Sequence, residues 1–182
     1  EYYIAATDGY DVVLTVDEVL QSFLEKTVEA ACEDSGAKAA SGIAINPQTG
    51  AILALANTPD FDLNSVPRDD LTQLSELSRN KVITDVYEPG STFKIITLAS
   101  ALDSGAINES TTFDCTGYYT VGDQKIKCWR SYNPHGHQTL AQAVMNSCNP
   151  AFMRMALSMG KETFYNYLDA FGFGKATGVD MS

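Results

Sequence analysis

Two apolar segments joined by a tight turn constrain the fold of this chain more than any other feature. Residues 41–45 and 51–56 are almost continuously apolar, and residues 46–50 between them supply the asparagine, proline and glycine of a turn. Strands that are continuously apolar, rather than alternating, belong to a sheet with both faces covered. Helices would provide that cover. We therefore predict an α/β fold in which helices cover a small sheet.

Other patterns predict one more strand and several helices. Residues 11–14 have the composition of a short strand, and Thr15 and Glu18 have the spacing of a capping box before a helix over residues 16–34. Further helices are predicted over residues 71–77, 91–102, 139–146, 149–159 and 161–171. We expect one partial domain over residues 1–182, with residues 1–57 and the Ser91 helix in its sheet-associated part and residues 110–182 in a helical lobe.

The segment Glu-Pro-Gly-Ser-Thr-Phe-Lys, which ends at Lys94, places a hydroxyl and an amine one helical turn apart. Pro89 and Gly90 interrupt any preceding element, so a helix begins close to Ser91. Residues three apart share a helix face, so Lys94 can reach the Ser91 hydroxyl. A helix N-terminus favours a developing alkoxide, and a desolvated lysine has a lowered pKa. The pattern predicts a serine nucleophile with a lysine base, and a chance Ser-x-x-Lys match is the alternative.

A second polar pair stands on a short connection between two predicted helices. The Ser147 hydroxyl can relay a proton between Lys94 and a leaving amine, and the Asn149 amide can orient the base and hold a substrate backbone. The alternative is structural. Asn149 precedes Pro150 and would serve as a helix N-cap, while Ser147 would only end the preceding helix.

The charge balance excludes one class of partner. Twelve Lys and Arg against 23 Asp and Glu give a net charge of -11, so no basic stripe can neutralise nucleic-acid phosphates. The chain also lacks a run of roughly 18 apolar residues, the length that predicts a membrane-spanning helix. We expect this chain to be soluble and to bind no nucleic acid.

The four cysteines lack the close spacing of zinc ligands, so no metal site is predicted. Cys115 and Cys128 flank a predicted hairpin over residues 118–127, which would bring the two thiols together if they face each other. A disulfide between them and two free thiols are equal alternatives, and a disulfide would indicate an oxidising compartment. His135 and His137 are predicted to be surface residues, with metal binding as the alternative.

The motifs occur in a characteristic order: strand, Asn-Pro-x-Thr-Gly turn and strand, then Ser91-x-x-Lys94, then Ser147-x-Asn149. This ordered set resembles the transpeptidase domain of the penicillin-binding proteins. These proteins belong to a group of serine acyl transferases that also includes the serine β-lactamases. The resemblance covers residues 10–182 and is closest to the class B, monofunctional type. The paired cysteines are similar to those of division or sporulation enzymes of Gram-positive bacteria.

The resemblance implies an activity, peptidoglycan D,D-transpeptidation, and a role for each motif residue. Ser91 would attack a stem peptide that ends in D-Ala-D-Ala, with Lys94 as general base, Ser147 as proton relay and Asn149 holding the substrate and the base. β-Lactam antibiotics would acylate the same serine, and no metal or organic cofactor is implied. The parent protein would be membrane-anchored, face the extracytoplasmic side and work with a glycosyltransferase.

The chain departs from the family at its third motif, Lys-Thr-Gly or Lys-Ser-Gly on a sheet strand, which is absent from the 182 residues. Lys175-Ala176-Thr177-Gly178 has one residue too many and no strand pattern after it. We therefore expect a C-terminally truncated fragment that is inactive or impaired and that self-associates through an exposed sheet edge. A serine β-lactamase, a D,D-carboxypeptidase and a non-catalytic β-lactam-sensing domain are the alternatives.

Overall fold

The computed structural model describes residues 8–179, which fall into two compact units. One contains residues 8–86 with Val179, and the other is Tyr87–Gly178. The helices are α1 Glu18–Ser35, α2 Leu71–Ser78, α3 Lys81–Thr84, α4 Lys94–Asp103, α5 Leu140–Met145, α6 Asn149–Met159 and α7 Lys161–Ala170. The strands are β1 Ala40–Ile45, β2 Ile52–Thr58, β3 Thr112–Cys115, β4 Tyr118–Val121, β5 Gln124–Lys127 and β6 Gly136–Thr139. None of the helices in this described part is both long and apolar enough to cross a membrane.

The predicted strand–turn–strand is confirmed as the antiparallel pair β1–β2, and α1 packs against it. Gly42 permits the close packing, because a Cβ there would lie 2.8 Å from Leu24 Cδ1 and 3.0 Å from Val28 Cγ1. The Gln21 side chain in α1 also bonds to the backbone of β2: its Nε2 donates to the Leu55 carbonyl at 2.9 Å and its Oε1 accepts from the Leu55 N–H at 2.8 Å. The helix therefore covers both a face and an edge of this small sheet.

Two expectations for the first unit were wrong. Residues 11–14 form no strand, and Val12 and Val13 are exposed, because no strand lies beside them to complete a ladder. The N-cap of α1 is Asp17 rather than Thr15: Asp17 Oδ1 accepts from the Leu20 N–H at 2.9 Å, while the Thr15 hydroxyl donates to the carbonyl of Ile52. The helix ends at Ser35, one residue beyond the predicted range of 16–34, and is followed by Gly36, whose φ of 66° is left-handed.

The α/β fold is confirmed, but β1 is not covered on both faces within the described residues. Its side chains alternate between half-buried and exposed, with Ile43 and Ile45 on the exposed side. The physical reason is that α1 covers one face, whereas only the four-residue helix α3 packs near the pair from elsewhere in this unit. The nearly continuous apolar sequence of this strand predicted two covered faces, whereas the described residues cover only one face of β1.

The second unit contains the predicted helices α4 to α7 and also two short strand pairs. The hairpin β4–β5 forms as predicted, with Val121 opposite Gln124. The pair β3–β6 was not predicted, and it places Cys115 opposite Gly136. Residues 110–179 are therefore not purely helical. The strand β3, which ends at Cys115, pairs with β6, a strand that lies outside the hairpin.

Met155 is at the centre of the core of the second unit, with 0% of its surface exposed. We expect Met155→Ala to lower the free energy of unfolding by about 2–5 kcal/mol, because it removes buried apolar atoms and leaves a cavity. Met145→Ala is the matched control, since Met145 is 84% exposed and should change stability by less than about 0.5 kcal/mol. Urea unfolding followed by circular dichroism measures both, and equal midpoints for the two variants would contradict the assigned core.

Candidate active site

Ser91 lies where a short 3₁₀ turn, Gly90–Phe93, leads directly into α4. Gly90 has a φ of 58°, a conformation that a side chain disfavours, so the Pro-Gly pair sets the entry to the helix as predicted. The Ser91 side chain is exposed and borders a cavity of about 120 Å³. The residues that line this cavity are Ser91, Lys94, Ile95, Leu98, Val144, Ser147 and Phe152.

The ammonium group of Lys94 bonds to the second motif through three oxygens. Its Nζ donates to the Ser147 carbonyl at 2.8 Å, to the Ser147 hydroxyl at 2.9 Å and to Asn149 Oδ1 at 2.6 Å. The Phe152 ring centroid is 5.3 Å from the same nitrogen. Burial lowers the pKa of Lys94, and the charges of the nearby Cys128 and Cys148 thiols only partly oppose this effect. The lysine is therefore closer to the neutral, basic form than an exposed lysine would be.

Ser147 is held in an unusual backbone conformation. Its φ of 46° makes it the sole non-glycine residue with a left-handed backbone among residues 8–179. Such a conformation costs about 1–3 kcal/mol and persists where its surroundings hold it. Here it points both the carbonyl and the hydroxyl of one residue at Lys94 Nζ. The turn thus supplies two of the three acceptors around the lysine.

The Asn149 side chain is bonded at both ends. Its Oδ1 accepts from Lys94, and its Nδ2 donates to the Lys127 carbonyl at the end of β5, at 3.1 Å. The alternative role as an N-cap was wrong, because Cys148 occupies the N-cap position of α6 and Asn149 is already its first residue. The amide is thereby free to connect the lysine to the hairpin.

The structure brings the Cys115 and Cys128 thiols together, with no bond between them. Cys148, between Ser147 and Asn149, completes a four-residue cluster together with His135, which was predicted to lie on the surface but is partly buried here. The cluster was not predicted because its consecutive members are at least seven residues apart along the chain, wider than the paired spacing that is typical of zinc ligands. The sequence feature that could have indicated the cluster is the presence of three cysteines, Cys115, Cys128 and Cys148, within the second unit.

Two other candidates lie outside this arrangement. His137 is exposed and its Nδ1 is 2.9 Å from Asp114 Oδ1, which agrees with the predicted surface position. Lys175 pairs with Asp169 on the surface at 2.8 Å, and residues 175–178 form no strand. The tetrapeptide that begins at Lys175 is therefore not a strand-borne third motif.

Comparison with known protein families gives a match to the penicillin binding protein transpeptidase domain over residues 40–182. The chain belongs to this family of penicillin-binding protein transpeptidases. Residues 40–182 include both Ser91-x-x-Lys94 and Ser147-x-Asn149, so the whole lysine-centred arrangement lies within the matched region.

The most informative relatives of this penicillin-binding protein chain belong to class B. It is 38% identical to stage V sporulation protein D of Bacillus subtilis over 98% of the chain and 27% of that protein. It is 30% identical to the peptidoglycan D,D-transpeptidase FtsI of Escherichia coli K12, again over 98% of the chain and 29% of that protein. The transpeptidase domain of Burkholderia pseudomallei penicillin-binding protein 3 superimposes with a TM-score of 0.76 at 28% identity, covering 97% of this chain and 47% of that one. The chain therefore spans less than a third of the two relatives matched by sequence.

Proposed function

We propose that this chain carries the nucleophile, the general base and the proton relay of a peptidoglycan D,D-transpeptidase. The supporting observation is that Lys94 Nζ bonds to Ser147 and Asn149 in a cavity that Ser91 also lines. Family membership supplies the reaction class, and the lysine-centred hydrogen bonds supply the means to perform it. No step in this chemistry calls for a cofactor, because a positioned base activates the hydroxyl.

In the proposed first step, Ser91 Oγ attacks the carbonyl of the penultimate D-alanine of a stem peptide. The hydroxyl proton passes to Lys94 in its neutral form, which burial favours by lowering the pKa of this lysine. The neutral amine would keep two of the three hydrogen bonds that the ammonium donates, and its lone pair would accept the proton. Collapse of the tetrahedral intermediate breaks the peptide bond. The terminal D-alanine then leaves with a proton that Lys94 delivers through the Ser147 hydroxyl, which lies 2.9 Å from Nζ.

In the proposed second step, an amine of another stem peptide attacks the acyl-Ser91 ester. Lys94 accepts the proton from this amine and returns it to Ser91 Oγ as the ester bond breaks, so the enzyme is regenerated and a cross-link is formed. Asn149 holds Lys94 in place throughout, since its Oδ1 accepts from Nζ and its Nδ2 is bonded to the hairpin. β-Lactams would stop the cycle by acylating Ser91 in place of the stem peptide.

Stabilisation of the tetrahedral intermediate would be incomplete in these 182 residues. The Ser91 N–H would be one oxyanion donor, but the family's second donor is on the Lys-Thr-Gly or Lys-Ser-Gly strand, a tripeptide the sequence lacks. Losing one such donor costs a factor of about 10² to 10³ in rate. We therefore expect the isolated chain to be acylated slowly and to be impaired in cross-linking.

The proposal includes a location and partners. The whole protein would act on the extracytoplasmic side as a membrane-anchored enzyme, with a glycosyltransferase as partner. The isolated chain would self-associate through a sheet edge, because an unpaired strand edge templates pairing with another chain. These expectations follow from family membership and from the small sheet rather than from the geometry around Lys94.

The fate of the acyl-enzyme distinguishes transpeptidation from the β-lactamase and D,D-carboxypeptidase alternatives. The 182-residue chain is incubated with excess fluorescent penicillin until labelling is complete, freed of penicillin by gel filtration, and followed by intact mass. We expect one penicilloyl group per chain, attached to Ser91, that is retained for many hours. Rapid loss of the group with repeated turnover of penicillin would instead indicate a hydrolase, because water would then be resolving the acyl-enzyme.

A further inference from the structure

Three thiols and one imidazole come together in the second unit. The ligand atoms of Cys115, Cys128, His135 and Cys148 all lie within 4.8 Å of one another. Cys115 ends β3, Cys128 follows β5, His135 precedes β6 and Cys148 is the N-cap of α6. All three thiols are buried, with at most 2% of each cysteine exposed. Three segments of the chain, the end of β3, the β5–β6 connection and the start of α6, thus converge on one small volume.

One separation in this cluster matches that around a tetrahedral metal ion, and all the ligand atoms lie within 4.8 Å of one another. With Zn–S bonds of about 2.3 Å and Zn–N bonds of about 2.0 Å, tetrahedral ligand atoms are about 3.5–3.8 Å apart. The Cys128 sulfur and His135 Nδ1 are 3.7 Å apart. Three cysteines and one histidine also form one of the ligand sets of closed, structural zinc sites. Around a bound ion, ligand atoms that are up to 4.8 Å apart would draw together to these separations.

Of the two ring nitrogens of His135, Nδ1 is the one that faces the thiols. Nε2 lies on the other side of the ring, where it is buried and has no hydrogen-bond partner among the described residues. A metal ion at this cluster would therefore take Nδ1.

We propose that Cys115, Cys128, His135 and Cys148 bind one zinc ion as a closed structural site. Soft thiolates with one imidazole in a tetrahedral arrangement favour zinc, whereas the hard cations magnesium and calcium prefer oxygen ligands. All four coordination positions would be filled by protein, so this ion would hold the fold together and take no direct part in the reaction.

The proposed ion would also stabilise the residues around Lys94, an extension that rests on the proposed function. Cys148 lies between Ser147 and Asn149, and Cys128 directly follows Lys127, whose carbonyl accepts from the Asn149 amide. A metal bonded to both cysteines would fix the turn that contains Ser147 against the end of the hairpin. Ser147 and Asn149 would then be held in position without spending substrate binding energy on ordering them.

The first test measures metal content and thiol protection in the 182-residue chain, purified with a phosphine reductant. Mass spectrometry of the metal is expected to give one zinc per chain. Iodoacetamide should then modify Cys32, which lies outside the cluster, while Cys115, Cys128 and Cys148 react only after a chelator has removed the zinc. Replacing zinc with Co²⁺ should produce the visible bands of tetrahedral cobalt together with near-ultraviolet thiolate charge-transfer absorption.

Variants separate a metal site from a coincidental cluster. Cys128→Ser should abolish stoichiometric zinc, whereas Cys32→Ser should leave it unchanged. His135→Gln keeps all three thiols and a polar side chain, and its Co²⁺ affinity should fall by more than about 100-fold, beyond the loss expected for a group that only supports a ligand. Far-ultraviolet circular dichroism on His135→Gln shows whether that loss occurs in a folded chain.

Two outcomes would overturn the proposed site. One is a reduced, folded chain that retains no zinc and gives no tetrahedral cobalt spectrum. The other is a disulfide between two of the three cysteines in the purified chain, with no metal bound after that disulfide is reduced. Neither result depends on acyl transfer: Ser91→Ala should retain zinc in full, so failure of the proposed nucleophile and failure of the metal site are distinguishable.

Discussion

Replacing Ser91 with alanine should abolish covalent labelling of the chain by penicillin. Ser91 supplies the attacking oxygen, and losing the nucleophile of a serine acyl transferase costs about 10⁶-fold in rate. Stability should change little, because the Ser91 side chain is exposed beside the cavity and makes no core contacts. Intact mass spectrometry after prolonged incubation measures the labelled fraction, so the slow acylation expected of this chain does not obscure the comparison.

The matched control for this experiment is Ser110→Ala, which removes another exposed hydroxyl from the same unit. It should be labelled to the same extent as the unmodified chain. Equal labelling of Ser91→Ala and Ser110→Ala would show that the nucleophile is a different residue. Reversible penicillin binding by both Ser91→Ala and the unmodified chain, with no adduct in either, would favour the non-catalytic sensing alternative.

Replacing Lys94 should give the second largest effect, a fall in the acylation rate of about 10²- to 10⁴-fold. We expect Lys94→Arg to lose activity as fully as Lys94→Ala, because a guanidinium keeps a positive charge but cannot accept a proton at ordinary pH. Lys161→Ala, which removes an exposed lysine from the same unit, should retain the original rate. Stopped-time labelling with fluorescent penicillin measures all three variants.

The pH dependence of labelling tests the same role independently. A base works in its neutral form, so the rate should rise with pH as Lys94 loses its proton. Burial lowers the pKa of Lys94 from its ordinary value of 10.5, which places the midpoint of this rise below 10.5. The rise should be absent from Lys94→Arg. A Lys94→Arg variant with the original rate and pH profile would exclude the lysine as the base.

The elements that were predictable from sequence are those whose signals are local. Gly36 ends α1 because a left-handed residue follows the helix, and Thr139 with Gln142 forms a capping box at the start of α5, a helix that was predicted to begin at residue 139. The strand pair β3–β6 could not be predicted in the same way. Its two four-residue strands are separated by the whole β4–β5 hairpin, and the Gly-His-Gln-Thr sequence of β6 lacks apolar alternation.

The same distinction applies to the residues around Lys94. The helical start at Ser91 follows from Pro89 and Gly90, but the bonds from Lys94 to Ser147 and Asn149 join residues more than 50 positions apart. The resemblance to a known family suggested that association before the structure showed it. Neither spacing nor resemblance indicated the thiol cluster, because its four members meet only when β3, the hairpin, β6 and α6 have packed together.

The Gln21 side chain has a consequence for how the β1–β2 sheet can be enlarged. Its amide occupies both hydrogen-bonding groups of Leu55, in the manner of one residue of a neighbouring strand. A polypeptide approaching β2 would have to displace this amide and would gain no net hydrogen bond at that position. Growth of the sheet is therefore directional: any further strand, from this molecule or another, has to add beside β1.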